Sequence, residues 1–535
     1  MKSLFRAASA AFRCETLAHT LVVAGILAAM TLDATAAQRG ARPKLDPALW
    51  RTADHANSTD QVEVIVRTDA SRLSELRSRF EGHGDRILDE QAHLGALTVV
   101  MHAGDLRALE ADPSVTHLSS NAIVEAHGGR GDSLTRQTAG QRTLIDTLAL
   151  ADTKVSGKDV GVAVLDSGIQ PSADLSPERF YDFTQGDQRA APYDDYGHGT
   201  HVSGLIAGRS SGIAPSARLI VLKVLDGQGQ GTVSTVVRAI EFVIANRDRL
   251  RIDILNISLG HAPTEPAMDD PLVQAVERAT RAGLIVVASA GNSHGQGLDI
   301  APYGDITSPG TAPSAITVGA VDTHGTTTRA DDGVTDYSSR GPTAYDGMQK
   351  PDVVAPGANL ISNAAVGSLL YGQYPERQVD DVRGIPRLFR LSGTSMAAAV
   401  TSGLVALLVE QNRHRSTAPL TPNLVKAILQ FSALSVPGDA FARGTGALNG
   451  AGALELAGSV DMATSMGEWS SDKVVLPITT IDGEDYVWGQ TVIWGTTVIW
   501  GNAVYVNEPA WSASTVWGTT VIWGTTVIWG TAVVG

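Results

Sequence analysis

The stretch Val160-Gly161-Val162-Ala163-Val164-Leu165-Asp166-Ser167-Gly168 decides the architecture. Up to Leu165 it is apolar without interruption, as a strand covered on both faces requires. It ends on a carboxylate followed by a Ser-Gly turn pair. Comparable apolar runs recur at 219–224, 252–257, 284–288 and 315–321. Between them, 233–246 and 272–281 read as helices. Strands alternating with helices of this length predict parallel βαβ units. The predicted fold class is therefore α/β, a doubly wound, mainly parallel sheet occupying residues 130–458. Such a sheet places its site beyond the carboxyl ends of the strands, where Asp166 falls.

Working outward, residues 61–127 have a different rhythm. Val62-Glu63-Val64-Ile65-Val66 alternates in part as a strand does, and Leu73, Leu76 and Phe80 follow at helical spacing. A strand near Ile87, another at 96–101, a short helix at 104–111 and an extended stretch at 115–124 complete the order β-α-β-β-α-β. That is the split βαβ arrangement of a small ferredoxin-like α+β domain. Residues 37–60 are polar and contain Pro43 and Pro47, so they read as a linker. Residues 1–36 read as a secretory signal: Lys2, Arg6 and Arg13 precede an apolar run at 17–32, and Ala34-Thr35-Ala36 offers small residues for cleavage. The apolar run is short of the roughly 20 residues that span a bilayer. The expected destination is secreted, cell surface or periplasm, with no membrane span after signal cleavage. The single cysteine, Cys14, would leave with the leader, so disulfides cannot stabilise the remaining chain. The formal net charge of −15 argues against nucleic acid as a partner.

The carboxyl-terminal end carries a repeat. Tryptophan recurs every six residues at Trp488, Trp494 and Trp500, and again at Trp511, Trp517, Trp523 and Trp529, within the unit Trp-Gly-Thr-Thr-Val-Ile. An even period puts every tryptophan of an extended chain on one face. Uncharged windows rich in β-branched residues favour strand pairing. Residues 486–535 are thus expected to form a β-rich repeat tail, joined by a linker at 459–485. Surface attachment or self-association is one use for such a tail, and packing on the main domain is another.

Four segments carry candidate chemistry. Hydrolysis of a peptide bond needs a nucleophile, a base to take its proton and donors for the developing oxyanion. Asp166 emerges at a strand end, although a carboxylate there can simply cap a turn. His198 lies in Tyr196-Gly197-His198-Gly199-Thr200-His201, with small residues that let other backbone come close. His198 and His201 could pair on a metal, but no third ligand is suitably placed. Ser395, in Ser392-Gly393-Thr394-Ser395-Met396-Ala397, precedes a strongly helix-forming run. A serine there is commonly an N-cap, yet free N–H groups and the helix dipole also favour negative charge. Asn292, in Ser289-Ala290-Gly291-Asn292, can supply a side-chain amide to an oxyanion, or merely form a turn.

Taken together, the segments around Asp166, His198, Asn292 and Ser395 resemble the subtilisin-like serine proteases. The order Asp, His, Ser is that of subtilisins and of neither chymotrypsin nor the α/β-hydrolases. The resemblance covers residues 130–458 and implies the following roles. Ser395 attacks the scissile carbonyl, His198 moves the proton, Asp166 orients the imidazole, and Asn292 and the Ser395 N–H hold the oxyanion. Ser258, Leu259 and Gly260 pair with the substrate backbone, and Ser289, Ala290 and Gly291 line the main specificity pocket. Because those residues are small, the pocket should admit large apolar side chains. Two departures stand out: His261 follows Gly260 where many relatives have a second glycine, and Asp-Ser replaces the frequent Asp-Thr at 166–167. Residues 363–390 look inserted, as a loop over the site. Residues 61–127 resemble the inhibitory propeptides of these enzymes, so self-cleavage is expected between Val124 and Thr138. The implied partners are protein or peptide substrates and the chain's own propeptide. Calcium is frequent in the resembled family, which leaves a structural ion open, but no acidic loop here has convincing calcium-ligand spacing, and no metal or cofactor is assigned. The competing reading is a catalytically retired surface or self-assembly protein that works through its repeat.

Overall fold

The computed structural model describes residues 43–127, 141–210, 212–294, 304–416, 418–461 and 475–489, with short strands at 470–471, 499–500 and 503–504. The expected leader, the segment 128–140 and most of the repeat tail lie outside these residues.

The small amino-terminal unit contains α1 (Pro47–His55), β1 (Gln61–Thr68), α2 (Leu73–His83), β2 (Arg86–Gln91), β3 (Ala96–His102), α3 (Leu106–Ala111) and β4 (Val115–Ser120). Its sheet has the order β2-β3-β1-β4, and every neighbouring pair is antiparallel. Leu73, Leu76, Phe80, Leu106 and Leu109 form one buried cluster with Val64, Val66, Leu97 and Val99. The β-α-β-β-α-β order is the one read from the sequence.

The stretch expected to be a linker, 37–60, instead holds α1. Asp46 caps this helix by accepting from Leu49 N–H at 2.7 Å, and Pro47 takes the first helical position. The other carboxylate oxygen of Asp46 accepts from the N–H and hydroxyl of Ser120 at 2.6 and 2.7 Å. Leu45 and Leu49 are buried in the small domain's core. Polar residues and prolines suggested a tether, but these two leucines dock it.

The extended stretch at 115–124 breaks after Ser120, and β5 (Ile123–Ala126) leaves the small sheet. The main domain then contributes β6 (Gly161–Asp166), β7 (Arg179–Asp182), β8 (Gln188–Arg189), α4 (His198–Ala207), β9 (Arg218–Lys223), β10 (Gln230–Thr232), α5 (Val233–Leu250), β11 (Ile254–Ile257), β12 (Leu259–Gly260), α6 (Pro271–Arg281), β13 (Ile285–Ser289), β14 (Ile316–Asp322), β15 (Gly333–Val334) and β16 (Val353–Pro356). The large sheet runs β15-β14-β13-β11-β6-β9-β7-β8, with β16 also paired to β14. Only the β14–β15 and β7–β8 pairs are antiparallel. Alternate residues of one strand feed two cores. Val162 and Val164 join one cluster, and Ala163 and Leu165 join the other. This is why the run at 160–165 has no polar face. Each such valine or leucine contributes about 1.5–3 kcal/mol by burial.

Between β16 and the candidate serine lie β17 (Leu360–Asn363), α7 (Leu369–Gln373), β18 (Gln378–Asp380) and β19 (Pro386–Leu391). They form a separate three-stranded sheet, β17-β19-β18. The inserted stretch was expected to be a loop over the site. It instead packs behind the turn before His198, where Leu369 and Leu370 N–H donate to the carbonyls of Asp195 and Tyr196 at 2.8 and 3.0 Å. Next comes α8 (Thr394–Arg413), long and apolar enough to cross a membrane but 94% buried inside the protein over its apolar window. Near its far end, Glu410 accepts from the N–H groups of Ser156, Gly157 and Lys158 at 2.7, 2.6 and 2.9 Å. The helix is thereby tied to the chain that leads into β6.

The expected linker at 459–485 is likewise structured in its second half. Ile478–Ile481 and Glu484–Val487 form an antiparallel hairpin. The first tryptophan of the repeat, Trp488, is buried in the main domain's core rather than belonging to a separate tail. Its indole N–H donates to the Thr479 hydroxyl at 3.0 Å, and its ring meets Phe431 edge-on at 5.9 Å. Of the later repeats, only an antiparallel pairing of Ile499–Trp500 with Ala503–Val504 is described. Trp488→Ala in a Ser395→Ala background should cost about 3–5 kcal/mol of stability, the range for large aromatic deletions in a core. Differential scanning fluorimetry would register this as a lower melting temperature. An unchanged melting temperature would mean that the hairpin is not part of the folded domain.

Candidate active site

Asp166 ends β6 at the carboxyl edge of the sheet, next to the point where strand order reverses around β6. His198 is the first residue of α4. Both are fully buried. Nδ1 of His198 lies 2.8 and 3.0 Å from the two carboxylate oxygens of Asp166. Two glycines make this approach possible. Gly197 turns with φ +108°, in the left-handed region that favours glycine, and a Cβ there would collide with Ser368. A Cβ on Gly199 would collide with the Gly168 carbonyl oxygen and lie 3.1 Å from Cβ of Asp166.

The departure at 167 is absorbed by a hydrogen-bond network. The Ser167 hydroxyl donates to Asp194 at 2.9 Å and accepts from Gly199 N–H at 2.9 Å. Asp194 also accepts from the Gly197 and Thr200 N–H groups and from the Thr200 hydroxyl. One buried carboxylate therefore fixes the first turn of α4 against the end of β6. Negative charge at a helix N-terminus is itself favourable.

Ser395 is the second residue of α8 and is fully buried. Its hydroxyl donates to the Ser258 carbonyl at 2.9 Å. Nε2 of His198 is buried and has no hydrogen-bond partner among the described residues. The Asp166–His198 half of the expected relay is thus formed, while the serine hydroxyl is turned away from it. That oxygen moves by rotation about a single bond.

A segment of the protein's own chain occupies the site. β5 lies between β10 and β12 as the middle of three antiparallel strands. Glu125 pairs with Gln230 on one side and with Gly260 on the other, and Ala126 pairs with Leu259. His127 follows, and its N–H donates to Ser258 O at 3.3 Å. The His127 carbonyl oxygen accepts from Nδ2 of Asn292 at 2.6 Å and from Ser395 N–H at 3.4 Å. Asn292 is held in turn, because its Oδ1 accepts from the N–H and hydroxyl of Thr394 at 2.9 and 3.0 Å.

The His127 ring is buried beside Gly260, where a Cβ would lie 2.7 Å from Cε1. Its Nδ1 is 2.8 Å from the Ser289 hydroxyl. The side chain seated beside Ser289 is an imidazole, where the sequence led to the expectation of a large apolar group. Burial first, then the neighbouring His198 and His261, push His127 down to about 3. It is therefore neutral where it lies.

Contacts elsewhere hold the small domain on the main one. His117 of β4 meets the buried Glu265 through Nε2. Arg67 lies 3.8 Å from Asp269, and Arg238 lies 3.5 Å from Asp89. Asn121 accepts from Ser234 N–H at 2.9 Å, at the start of α5.

Of the residues singled out from sequence, Asn292 and Ser395 meet at the His127 carbonyl, Ser258, Leu259 and Gly260 run beside β5 and His127, and Ser289 lies beside the imidazole, while Asp166 and His198 pair with each other and Gly291, next to the buried Ala290, donates its N–H to the Thr394 hydroxyl at 3.2 Å. Sequence reasoning overlooked β10, which flanks β5 on its other edge, and His127 itself. Gln230-Gly231-Thr232 offers no apolar pattern to mark a strand. The only sequence signal for His127 is its place just beyond a short extended stretch and just before Gly128-Gly129.

Comparison with known proteins agrees with this geometry. The subtilase family profile matches residues 157–452, more than half of the chain. Serine protease AprX of Bacillus subtilis is 40% identical over 288 residues, covering 52% of this chain but only 61% of its own length. Subtilisin E of the same organism is 28% identical over 403 residues, covering 74% of this chain and 90% of its own. Among solved structures, fervidolysin from Fervidobacterium pennivorans, described as a keratinolytic enzyme related to subtilisin, superposes with a TM-score of 0.58. That match is 20% identical and covers 77% of this chain and 63% of fervidolysin, so it bears on the fold alone. From the matched profile and the shared fold, the chain belongs to the subtilase family of peptidases.

Proposed function

We propose that this protein is a serine endopeptidase, exported as a precursor, which hydrolyses peptide bonds of proteins and makes its first cut in its own chain, between His127 and Gly128. The observation that carries this reading is the seat of the His127 carbonyl oxygen, between Nδ2 of Asn292 and the N–H of Ser395. Export rests on the leader-like sequence at 1–36.

The chemistry follows from the donors present. The Ser395 hydroxyl leaves Ser258 O, turns to Nε2 of His198 and attacks the His127 carbonyl carbon. His198 takes the hydroxyl proton, and Asp166 stabilises the resulting imidazolium through Nδ1. The carbonyl oxygen gains negative charge where Asn292 and Ser395 N–H already donate, at the N-terminus of α8. His198 then returns the proton to the Gly128 nitrogen. The bond breaks, and water later releases His127 from its ester with Ser395. After the cut, residues 61–127 remain held by β10, β12 and the contacts of His117 and Arg67, and so block the site they have left. A protein substrate would displace β5 and lie in the same groove by strand addition.

In a retired enzyme, Ser395 would be inert even after the chain is cut. A fluorophosphonate probe should therefore label the processed protein at Ser395, and Ser395→Ala should hydrolyse no casein. A processed protein that takes no label would favour the retired reading. Asn292→Ala should lower turnover roughly 100- to 1000-fold, or about 2.7–4 kcal/mol, the range known for loss of one oxyanion donor in a subtilisin. Turnover within a few-fold of wild type would remove Asn292 from that role.

A further inference from the structure

We propose that this peptidase prefers to cut after histidine, and that the Ser289 hydroxyl is the group that selects it. The proposal rests on the endopeptidase reading above and names its substrate class. In that reading His127 is the residue whose carbonyl is attacked, so its side chain occupies the pocket that decides where cutting occurs. The pocket holds an imidazole, and the polar group at its wall is the fully buried Ser289, 2.8 Å from Nδ1. Gly260 also borders the ring, and its missing Cβ leaves the space taken by Cε1.

Two physical arguments turn this contact into selectivity. First, a buried hydroxyl whose partner is absent carries a desolvation cost, and sites built around a hydrogen bond discriminate against occupants that cannot make it. Phenylalanine and leucine leave the Ser289 hydroxyl without this partner. Asparagine places an amide atom on the same carbon that bears Nδ1 in histidine, so it ranks second. Either imidazole tautomer satisfies the serine, as acceptor or donor. Second, the pocket takes the neutral ring. The titratable groups facing it are His198 on α4 and His261 after β12, and with burial they drive the bound imidazole down to about 3. A free histidine side chain titrates near ~6.5. Binding of the histidine substrate is thus fully favourable above that pH and weakens as the pH falls through it.

The rest of β5 narrows the class. Val124, three residues before His127, is fully buried in the cluster that holds Leu225, Val233 and Leu259. Glu125 lies exposed, with Gln230 donating to it at 3.0 Å. The favoured substrates are then extended segments with a branched aliphatic residue, any residue, a small residue and histidine in succession.

The test uses the protein after it has processed itself and its cleaved amino-terminal segment has been separated from it, with fluorogenic peptides Val-Glu-Ala-X-Gly-Gly in which X is His, Asn or Phe. At pH 8, kcat/KM for the histidine peptide should exceed that for phenylalanine by about ten-fold or more. Ser289→Ala should erase most of that ratio, and its hydrolysis of the phenylalanine peptide reports that the variant has folded. Lowering the pH from 8 to 5.5 should reduce the His/Phe ratio by about ten-fold, because the free histidine peptide becomes charged while the effect of His198 on catalysis cancels. A wild-type ratio of one or less, or a ratio that Ser289→Ala leaves unchanged, overturns the proposal. Failure to hydrolyse any of the peptides, together with no fluorophosphonate labelling, overturns the endopeptidase reading and this one with it.

Discussion

One carbonyl oxygen organises the site. The oxygen of His127 sits 2.6 Å from Nδ2 of Asn292 and faces the N–H of Ser395, and each neighbouring element is constrained by the need to present those donors. Asn292 follows β13 and Ser395 opens α8, and they are bound together through Thr394, which donates twice to Oδ1 of Asn292. Asn292 and Ser395, the proposed oxyanion donor and nucleophile, are therefore positioned as one unit. A shift in the strand would move the helix, and the reverse holds as well. Such prior placement of dipoles where charge will appear is the largest single source of rate enhancement in acyl transfer.

The same logic explains the buried polar network around β6. Asp166, Ser167, Asp194 and Thr200 are all inaccessible to solvent or nearly so. Unpaired, such groups would cost several kcal/mol of desolvation. Here each carboxylate has several donors, and Lys223 adds its ammonium to the Ser167 and Leu225 carbonyls and to Asp195. The network fixes the entry to α4 and hence the orientation of the His198 ring. The helix α7 of the insertion supports the same turn from outside, through the N–H groups of Leu369 and Leu370, which gives the insertion a structural role that its sequence did not suggest.

How much could be read in advance followed from how local each signal was. The runs at 160–165 and 219–224 carry period-two burial on both faces, so the sheet and its helices were legible. Asp166, His198, Asn292 and Ser395 stood out as candidates because each sits beside glycine or at an element end, where close approach dictates the neighbours. Docking was not legible. Leu45 and Leu49 bind α1 to the small domain, and Trp488 seats the hairpin at 478–487, but those contacts lie with partners far along the chain. His127 was hidden for the same reason. Its place before Gly128-Gly129 is the only local mark, and that does not tie it to the pocket beside Ser289.

The account makes the occupant of the groove a segment about to be cut by the residues around it. The most direct measurement is the amino-terminal sequence and intact mass of the purified protein, compared with those of its Ser395→Ala variant expressed in a host lacking other secreted proteases. The account predicts a wild-type fragment that begins at Gly128 and a variant that stays joined through that bond. A variant that matures with the same new terminus, or a wild-type protein cut only elsewhere, would contradict it.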